Sequence, residues 1–487
     1  MKNLIHSSLE KINPDSIDRP SSAHSIPIFF IRDLNELEKL ISKNDYVYLK
    51  ATNFKGMYGE KVILPRHDGK IGKVIICSKK GGSHHPTFLI GNEISKLPAG
   101  VYSLKNFPDN SNIKELCLGF YFSFYSFDRY KKSCEDHSKL IKPRLCDSPL
   151  TDHSNLIYFA ESEFISRDLI NYPANYLGPS ELEDYVKSFA EFHKTKFSSI
   201  KGEELKKQNL PLIHDVGRAS EQAPRLLEIE YGTKNASYSI TLVGKGVCFD
   251  SGGLNLKNPS GMRNMKKDMA GAAAVLGLGH YLIRSKLNVN LRILIPCVEN
   301  SVSSNAFRQG DVLKSRIGKY VEVQNTDAEG RLILADALSL AVENKPDLLV
   351  SFATLTGAAR VAMGSDLTPF FATNPHMANL VEAGGRELFD PVWQLPFYKD
   401  YEDQLRSKIA DLNNAPSGGM AGSITAALFL RHFTDEHPNY MHFDIFGWNQ
   451  KSRPGKSYGG LLQGARALAA GIEKVLEEKT LRNHVQQ

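Results

Sequence analysis

Two carboxylates and a guanidinium crowd one short stretch, Gln324-Asn-Thr-Asp-Ala-Glu-Gly-Arg-Leu332, which carries Asp327, Glu329 and Arg331. Asp327 and Glu329 stand two positions apart, so in a locally extended loop both side chains point to the same side. Ionised carboxylates held that close repel unless a cation lies between them, and a helix N-terminus supplies only about half a unit charge. A multivalent metal ion meets the need better. From the residues alone, Arg331 is a cation beside the acids, able to neutralise both from a first helical turn.

A second set of acids comes earlier. Asp250 lies in Gly244-Lys-Gly-Val-Cys-Phe-Asp-Ser-Gly-Gly253, and Asp268 in Met265-Lys-Lys-Asp-Met-Ala-Gly271. Glycines flank Lys245 and follow Asp250, so backbone can approach closely whatever these side chains hold. A phosphate cradle is disfavoured, because the GxxxxGK[ST] order is absent and the acids would repel phosphate. Asp268 directly precedes a small-residue helical run and therefore also reads as an N-cap. Lys266 and Lys267 read as balance for nearby acids. Asp250, Asp268, Asp327 and Glu329 offer oxygen ligands that Zn, Mn or Mg accepts, and four are too many for one ion with open positions. A pair of divalent ions about 3.5–4 Å apart, sharing bridging carboxylates and activating a water, is the simplest arrangement. Near such ions an ammonium pKa is depressed, so one of Lys245 and Lys257 can bind metal as a neutral amine while the other stays charged and polarises a substrate oxygen.

The elements that must hold these residues follow from periodicity. Strand-like runs at 226–231, 239–243, 291–298, 321–324 and 348–353 alternate with helical spacing at 270–283 and 332–342. That pattern predicts an α/β fold whose mostly parallel sheet is covered by helices and places its site at one sheet edge. Ahead of it, β-like runs at 26–31, 46–50, 62–64 and 74–77 and a helix-like run at 34–41 predict a smaller N-terminal α/β domain. The prolines and glycine between 166 and 180 mark the boundary, giving domains 1–165 and 166–487, with Ser180 as cap of a helix over 182–192. The aromatic segment 119–130 lacks interleaved cations and reads as core, not as a base-stacking surface.

Composition narrows the setting. The chain is 41% hydrophobic and 23% charged, as ordinary globular proteins are, and no apolar run approaches the eighteen or so residues of a membrane span. His6, Ser7 and Ser8 interrupt the N-terminal stretch, so a secretory signal is not expected there. Six scattered cysteines without a CxxC pair argue against a disulfide framework and a thiolate zinc site, and fit a reducing, cytoplasmic setting. The balance of 60 basic and 54 acidic residues, +6, shows no concentrated basic patch, so nucleic acid is not an expected partner.

Taken together, the motifs closely resemble the leucyl aminopeptidase (cytosol aminopeptidase) family of dinuclear metallopeptidases. Asn325-Thr-Asp-Ala-Glu-Gly-Arg-Leu332 is similar to that family's signature in full. The likeness extends through 167–175, 243–253, 265–273, Glu299-Asn300, Gly310-Asp-Val312 and Ala353-Thr-Leu-Thr-Gly357, covering roughly 165–475 and only weakly the N-terminal domain. The resemblance implies Lys245, Asp250, Asp268, Asp327 and Glu329 as metal ligands, with Asp250 and Glu329 bridging. Lys257 would polarise the scissile carbonyl, and Arg331 would hold a bicarbonate ion acting as general base to the bridging water. Met265, Thr354 and Gly357 would line the side-chain pocket, with Leu355 and Gly357 backbone gripping the peptide. It also implies peptide substrates cut after their first residue, and a homohexamer. Two departures bear on substrate choice: Ser351 stands where the family usually has an acid, and Phe446 and Trp448 stand where small residues are common. His442 and Asp444 read as a packed strand end and not as further metal ligands. Another dinuclear hydrolase, such as a phosphoesterase, and a DNA-binding role are the competing readings.

Overall fold

The computed structural model describes residues 5, 8–9, 25–78, 86–106, 113–132, 142–146, 153–233, 236–416 and 418–485. Cys134 and most of the N-terminal stretch read above lie outside them. The chain divides into two units, one comprising His6–Phe164 with Gln450–Tyr458, the other Ile165–Asn449 with Gly459–Gln487 and Met1–Ile5.

The first unit holds a five-stranded sheet of order β2-β3-β1-β4-β5: β1 (Ile26–Ile31), β2 (Lys61–Pro65), β3 (Ile71–Cys77), β4 (Val101–Leu104) and β5 (Arg144–Leu145). All its pairings are parallel except β2 with β3. One expectation fails here. The run 46–50 belongs to helix α1 (Lys43–Ala51), because Ser42 and Asp45 form a reciprocal capping box that starts a helix despite the β-like residues after it. The stretch 34–41 is a 3-10 turn over Leu34–Lys39. The aromatic segment packs as core: Phe120, Tyr121 and Phe122 are buried, and Phe120 meets Phe124 edge-on at 4.9 Å.

In the second unit the main sheet runs β15-β14-β17-β13-β8-β10-β7-β6, with β9 also on β10. Its strands are β6 (Lys196–Lys201), β7 (Arg225–Tyr231), β8 (Ser239–Gly244), β9 (Gly246–Asp250), β10 (Asn290–Asn300), β13 (Leu348–Ala353), β14 (Thr368–Ala372), β15 (Val392–Gln394) and β17 (Tyr440–Asp444). The centre, β17-β13-β8-β10, is parallel, and β6, β7 and β14 join antiparallel. Every residue of β13, Leu-Leu-Val-Ser-Phe-Ala, is buried, as a parallel strand covered on both faces must be. Neighbouring strand residues point to opposite faces. Val243 and Ala353 accordingly join the apolar cluster of helix α4 (Glu329–Val342), while Gly244 and Phe352 meet helix α3 (Ala270–Arg284).

Two local expectations are corrected. Ser180 does not cap its helix: α2 spans Pro179–His193 with Gly178 as N-cap, because proline favours the first turn and Glu181 accepts the Gly178 N–H at 3.1 Å. The strand before the acidic stretch is short, β12 (Tyr320–Glu322). It pairs with β11 (Val312–Lys314) and β16 (Leu412–Asn413) in a separate three-stranded sheet, so the acidic loop does not leave the main sheet.

Candidate metal and peptide site

Carboxyl ends of parallel strands and one helix N-terminus deliver the chemistry to a single edge of the sheet. Lys245 sits between β8 and β9, with its backbone N–H donating to Phe352 O and its carbonyl accepting from Ala272 N. Asp250 ends β9, and its Oδ1 accepts from Gly252 N and Asn300 Nδ2, both at 2.9 Å. Gly252 takes φ +88° there, and a Cβ on it would lie 2.5 Å from Asn255 O and 3.0 Å from Asp327 Oδ1, so only glycine permits the turn. Glu329 opens α4. Asp268 lies in a 3-10 turn, Met265–Met269, and does not cap α3: its Oδ1 accepts the Thr354 hydroxyl at 2.6 Å, while its Oδ2 lies 2.8 Å from Lys245 Nζ.

These placements bring the predicted ligands together. Asp250, Asp327 and Glu329 each offer an oxygen within 4.8 Å of the others. Lys245 Nζ stands 2.9 Å from Glu329 Oε1 as well as beside Asp268, and Lys257 Nζ joins Asp250 Oδ2, at 2.8 Å, to Asp327 Oδ1. Glu329 Oε2 is buried without a hydrogen-bond partner. Burial and then repulsion from Asp250 push the Glu329 carboxyl up to about 8, and the same two causes raise Asp268 and Asp327, with the neighbouring lysines opposing. Burial pulls both lysines down, but the surrounding carboxylates outweigh it and hold both ammonium groups charged. The depressed lysine expected from the sequence needs the field of the dications themselves; with the side chains alone the field has the opposite sign.

Arg331 departs from its counter-charge reading. It is buried and, among the described residues, forms no ion pair with Asp327 or Glu329; Nε and Nη1 have no hydrogen-bond partner. Its guanidinium lies 5.9 Å from the Phe429 ring centre, and burial draws its pKa down to about 10 against the pull of Glu329 and Asp444.

The loop after β13 carries Thr354, Leu355 and Gly357. Asp444 shapes it: Oδ1 accepts from Leu355 N at 3.1 Å and Thr356 N at 3.2 Å, and Oδ2 from the Thr356 hydroxyl at 2.6 Å. That role was not visible in the sequence beyond "strand end", and neither were the stitches between the two acidic loops. Asn255 and Thr326 exchange two hydrogen bonds, at 2.8 and 2.7 Å, and Asn300 Nδ2 reaches Thr326 O at 3.1 Å. Asn300 and Thr326 stood inside the motif stretches and Asn255 two residues past one, which was the available signal. His442 is buried and takes no part in the carboxylate cluster; Ser351 Oγ sits between its Nδ1, at 2.9 Å, and the Tyr440 hydroxyl, at 2.8 Å. Lys267, read as balance for nearby acids, is buried with Nζ 4.9 Å from the Phe446 ring centre, and Lys266 Nζ donates to Asn171 O at 2.8 Å and lies 5.4 Å from the Trp448 ring centre.

Comparison with known proteins agrees with this geometry. Residues 164–469 match the cytosol aminopeptidase family, catalytic domain, and residues 27–143 match the M17 aminopeptidase, N-terminal domain. The chain belongs to the cytosol aminopeptidase family. It is 33% identical to a cytosol aminopeptidase of Encephalitozoon cuniculi over 410 residues, 82% of this chain and 83% of that one. It is 42% identical to peptidase B of an Enterobacter species over 294 residues, 59% of this chain and 69% of the relative. Among solved structures, the cytosol aminopeptidase from Coxiella burnetii superposes with a TM-score of 0.85 at 37% identity, covering 94% of this chain and 99% of that one. The bottromycin maturation enzyme BotP in complex with Mn gives 0.81 at 27% identity, covering 93% and 100%. This family member is a metal-dependent hydrolase of peptide bonds.

Proposed function

We propose that the chain releases single N-terminal residues from peptides in the cytoplasm, that residues 166–487 carry all of the chemistry, and that it works as a homohexamer. Lys245, Asp250, Asp268, Asp327 and Glu329 would hold two divalent ions, Zn or Mn, with Mg a further option, and Asp250 and Glu329 would be the ligands shared between them. The convergence of three carboxylates within 4.8 Å is the observation that carries this reading, and the unpartnered Glu329 Oε2 fits a cation ligand. When bound, the ions supply an activated water and an anchor for the free α-amino group, which is why only the first residue is removed.

The chain's own residues supply the rest. Lys257 keeps its charge among the carboxylates and donates to the scissile carbonyl oxygen as that oxygen becomes anionic. Arg331, with two buried guanidinium nitrogens unpaired, holds a bicarbonate ion positioned to take a proton from the nucleophile. Met265, Thr354 and Gly357 line the pocket for the first side chain. Because Asp444 takes the Leu355 N–H, the grip of Leu355 on a peptide falls to its carbonyl. The test is turnover of leucine p-nitroanilide with added Mn and after chelation. Turnover that chelation abolishes and Mn restores supports the proposal; no turnover by Mn-loaded protein overturns it.

A further inference from the structure

Asp250 and Asp327 come from two loops far apart in sequence, and one neutral side chain touches both loops. Asn300, the last residue of β10, is 1% exposed. Its Nδ2 donates to Asp250 Oδ1 at 2.9 Å and to Thr326 O, the carbonyl just ahead of Asp327, at 3.1 Å. This meeting is built into the strands. Between paired positions β9 advances three residues, Val247 to Asp250, while β10 advances two, Val298 to Asn300. That bulge sets Asp250 opposite Asn300; regular pairing would put Phe249 there and turn Asp250 to the other face. Ser251 holds the register beyond it, donating to Asn300 O from its N at 3.2 Å and from its Oγ at 2.7 Å. Gly253, at φ +65°, turns the chain against the same amide, where a Cβ would stand 2.8 Å from Asn300 Oδ1.

The amide has one workable orientation, since a flipped one would set its oxygen against two other oxygens. In that orientation Oδ1 is buried and has no hydrogen-bond partner. A buried carbonyl left unpaired costs stability, so the amide is placed for its two donors. Lys257 joins the same two acids, but as a cation it competes with any dication for their charge. A neutral amide does not. Together with Gly252 N, also at 2.9 Å, Asn300 occupies both lone pairs of Asp250 Oδ1 and leaves Oδ2 as the oxygen to face a cation.

We propose that Asn300 is a positioning residue for the metal pair: it fixes the separation of Asp250 from the Asp327 loop and keeps that separation when Lys257 gives way to the ions. The inference rests on the dinuclear reading of the site. The experiment titrates Mn into chelated wild type, Asn300→Leu and Asn300→Ser by calorimetry and records the EPR spectrum of each loaded protein. Urea unfolding of the chelated proteins measures the folded fraction. Leucine removes both donors at nearly constant volume, and serine, being small, is accommodated if leucine prevents folding. Wild type is expected to bind two ions and to give the spectrum of an exchange-coupled pair. The variants are expected to bind the second Mn at least about tenfold more weakly, to show isolated Mn(II) in place of the coupled signal, and to lose more in kcat than in KM for leucine p-nitroanilide. Wild-type affinity with the coupled signal intact in the variants overturns the proposal. So does a Mn deficit that disappears when only the folded fraction is counted, because the role would then be structural alone. A wild type that never binds a second ion overturns the dinuclear reading itself, and this proposal with it.

Discussion

At the scale of single residues, the site is a balance of charges that no member can leave without a specific loss. Asp250 is hydrogen-bonded on one oxygen and ion-paired on the other, so it is both held and central. Asp250→Ala is therefore expected to lose bound metal, read by elemental analysis after dialysis against Mn. Lys257→Ala and Arg331→Ala are expected to keep their metal and lose rate about 10²–10³-fold, since the role proposed for each is a charge needed only as the reaction proceeds. Equal metal loss in all three variants would contradict that division of roles. His442 gives a pH-dependent prediction. Burial pushes its pKa down to about 4, against the pull of Asp444, whereas an unfolded imidazole titrates near 6.5. Between those values the unfolded chain binds the proton and the folded chain does not, so wild type loses stability from this group as pH falls below about 6.5. His442→Gln is expected to be less stable at pH 7, with the deficit narrowing by about 1.4 kcal/mol per pH unit below 6.5, as measured by urea unfolding. A deficit independent of pH would contradict it.

At the scale of elements, positions in the site are set by how closely helix and strand ends approach. Lys245 reaches Glu329 by passing over the first turn of α4, where a Cβ on Gly330 would lie 2.6 Å from Lys245 Cε and 2.7 Å from Nζ. Helix propensity alone makes Gly330→Ala stabilising by about 1 kcal/mol. The clash is with the far end of a flexible side chain, so the fold is expected to persist while Lys245 is displaced. Unfolding free energy within about 1 kcal/mol of wild type, together with weaker Mn binding by calorimetry, is the expected outcome; unchanged Mn affinity would show that Lys245 is not a ligand. Elements also show what was legible in the sequence. The buried strand 348–353 and the helix after Asp268 could be read, because continuous apolar runs and small-residue periodicity leave few alternatives. The helix over 43–51 was missed because its signal is a cap outside the run, and the short strand 320–322 was assigned to the wrong sheet because pairing partners leave no mark on so few residues. Carboxylates stand out in sequence. The Asn and Thr side chains that stitch their loops together do not, since the same residues serve turns everywhere.

At the scale of the whole molecule, family membership and geometry support one account: a peptide hydrolase whose two acidic segments, far apart in sequence, meet at one sheet edge. The chain matches its relatives across both units. No described helix is long and apolar enough to cross a membrane. Both lysines are held charged by the carboxylates, so loading two dications must rearrange the same charges that now pair within the protein. The direct test is metal stoichiometry titrated against rate: chelated protein receives Mn in steps while bound metal per chain and leucine p-nitroanilide turnover are measured on the same samples. The account predicts that activity saturates at two ions per chain, a count that follows from a dinuclear centre. Full activity with one ion or none would contradict it.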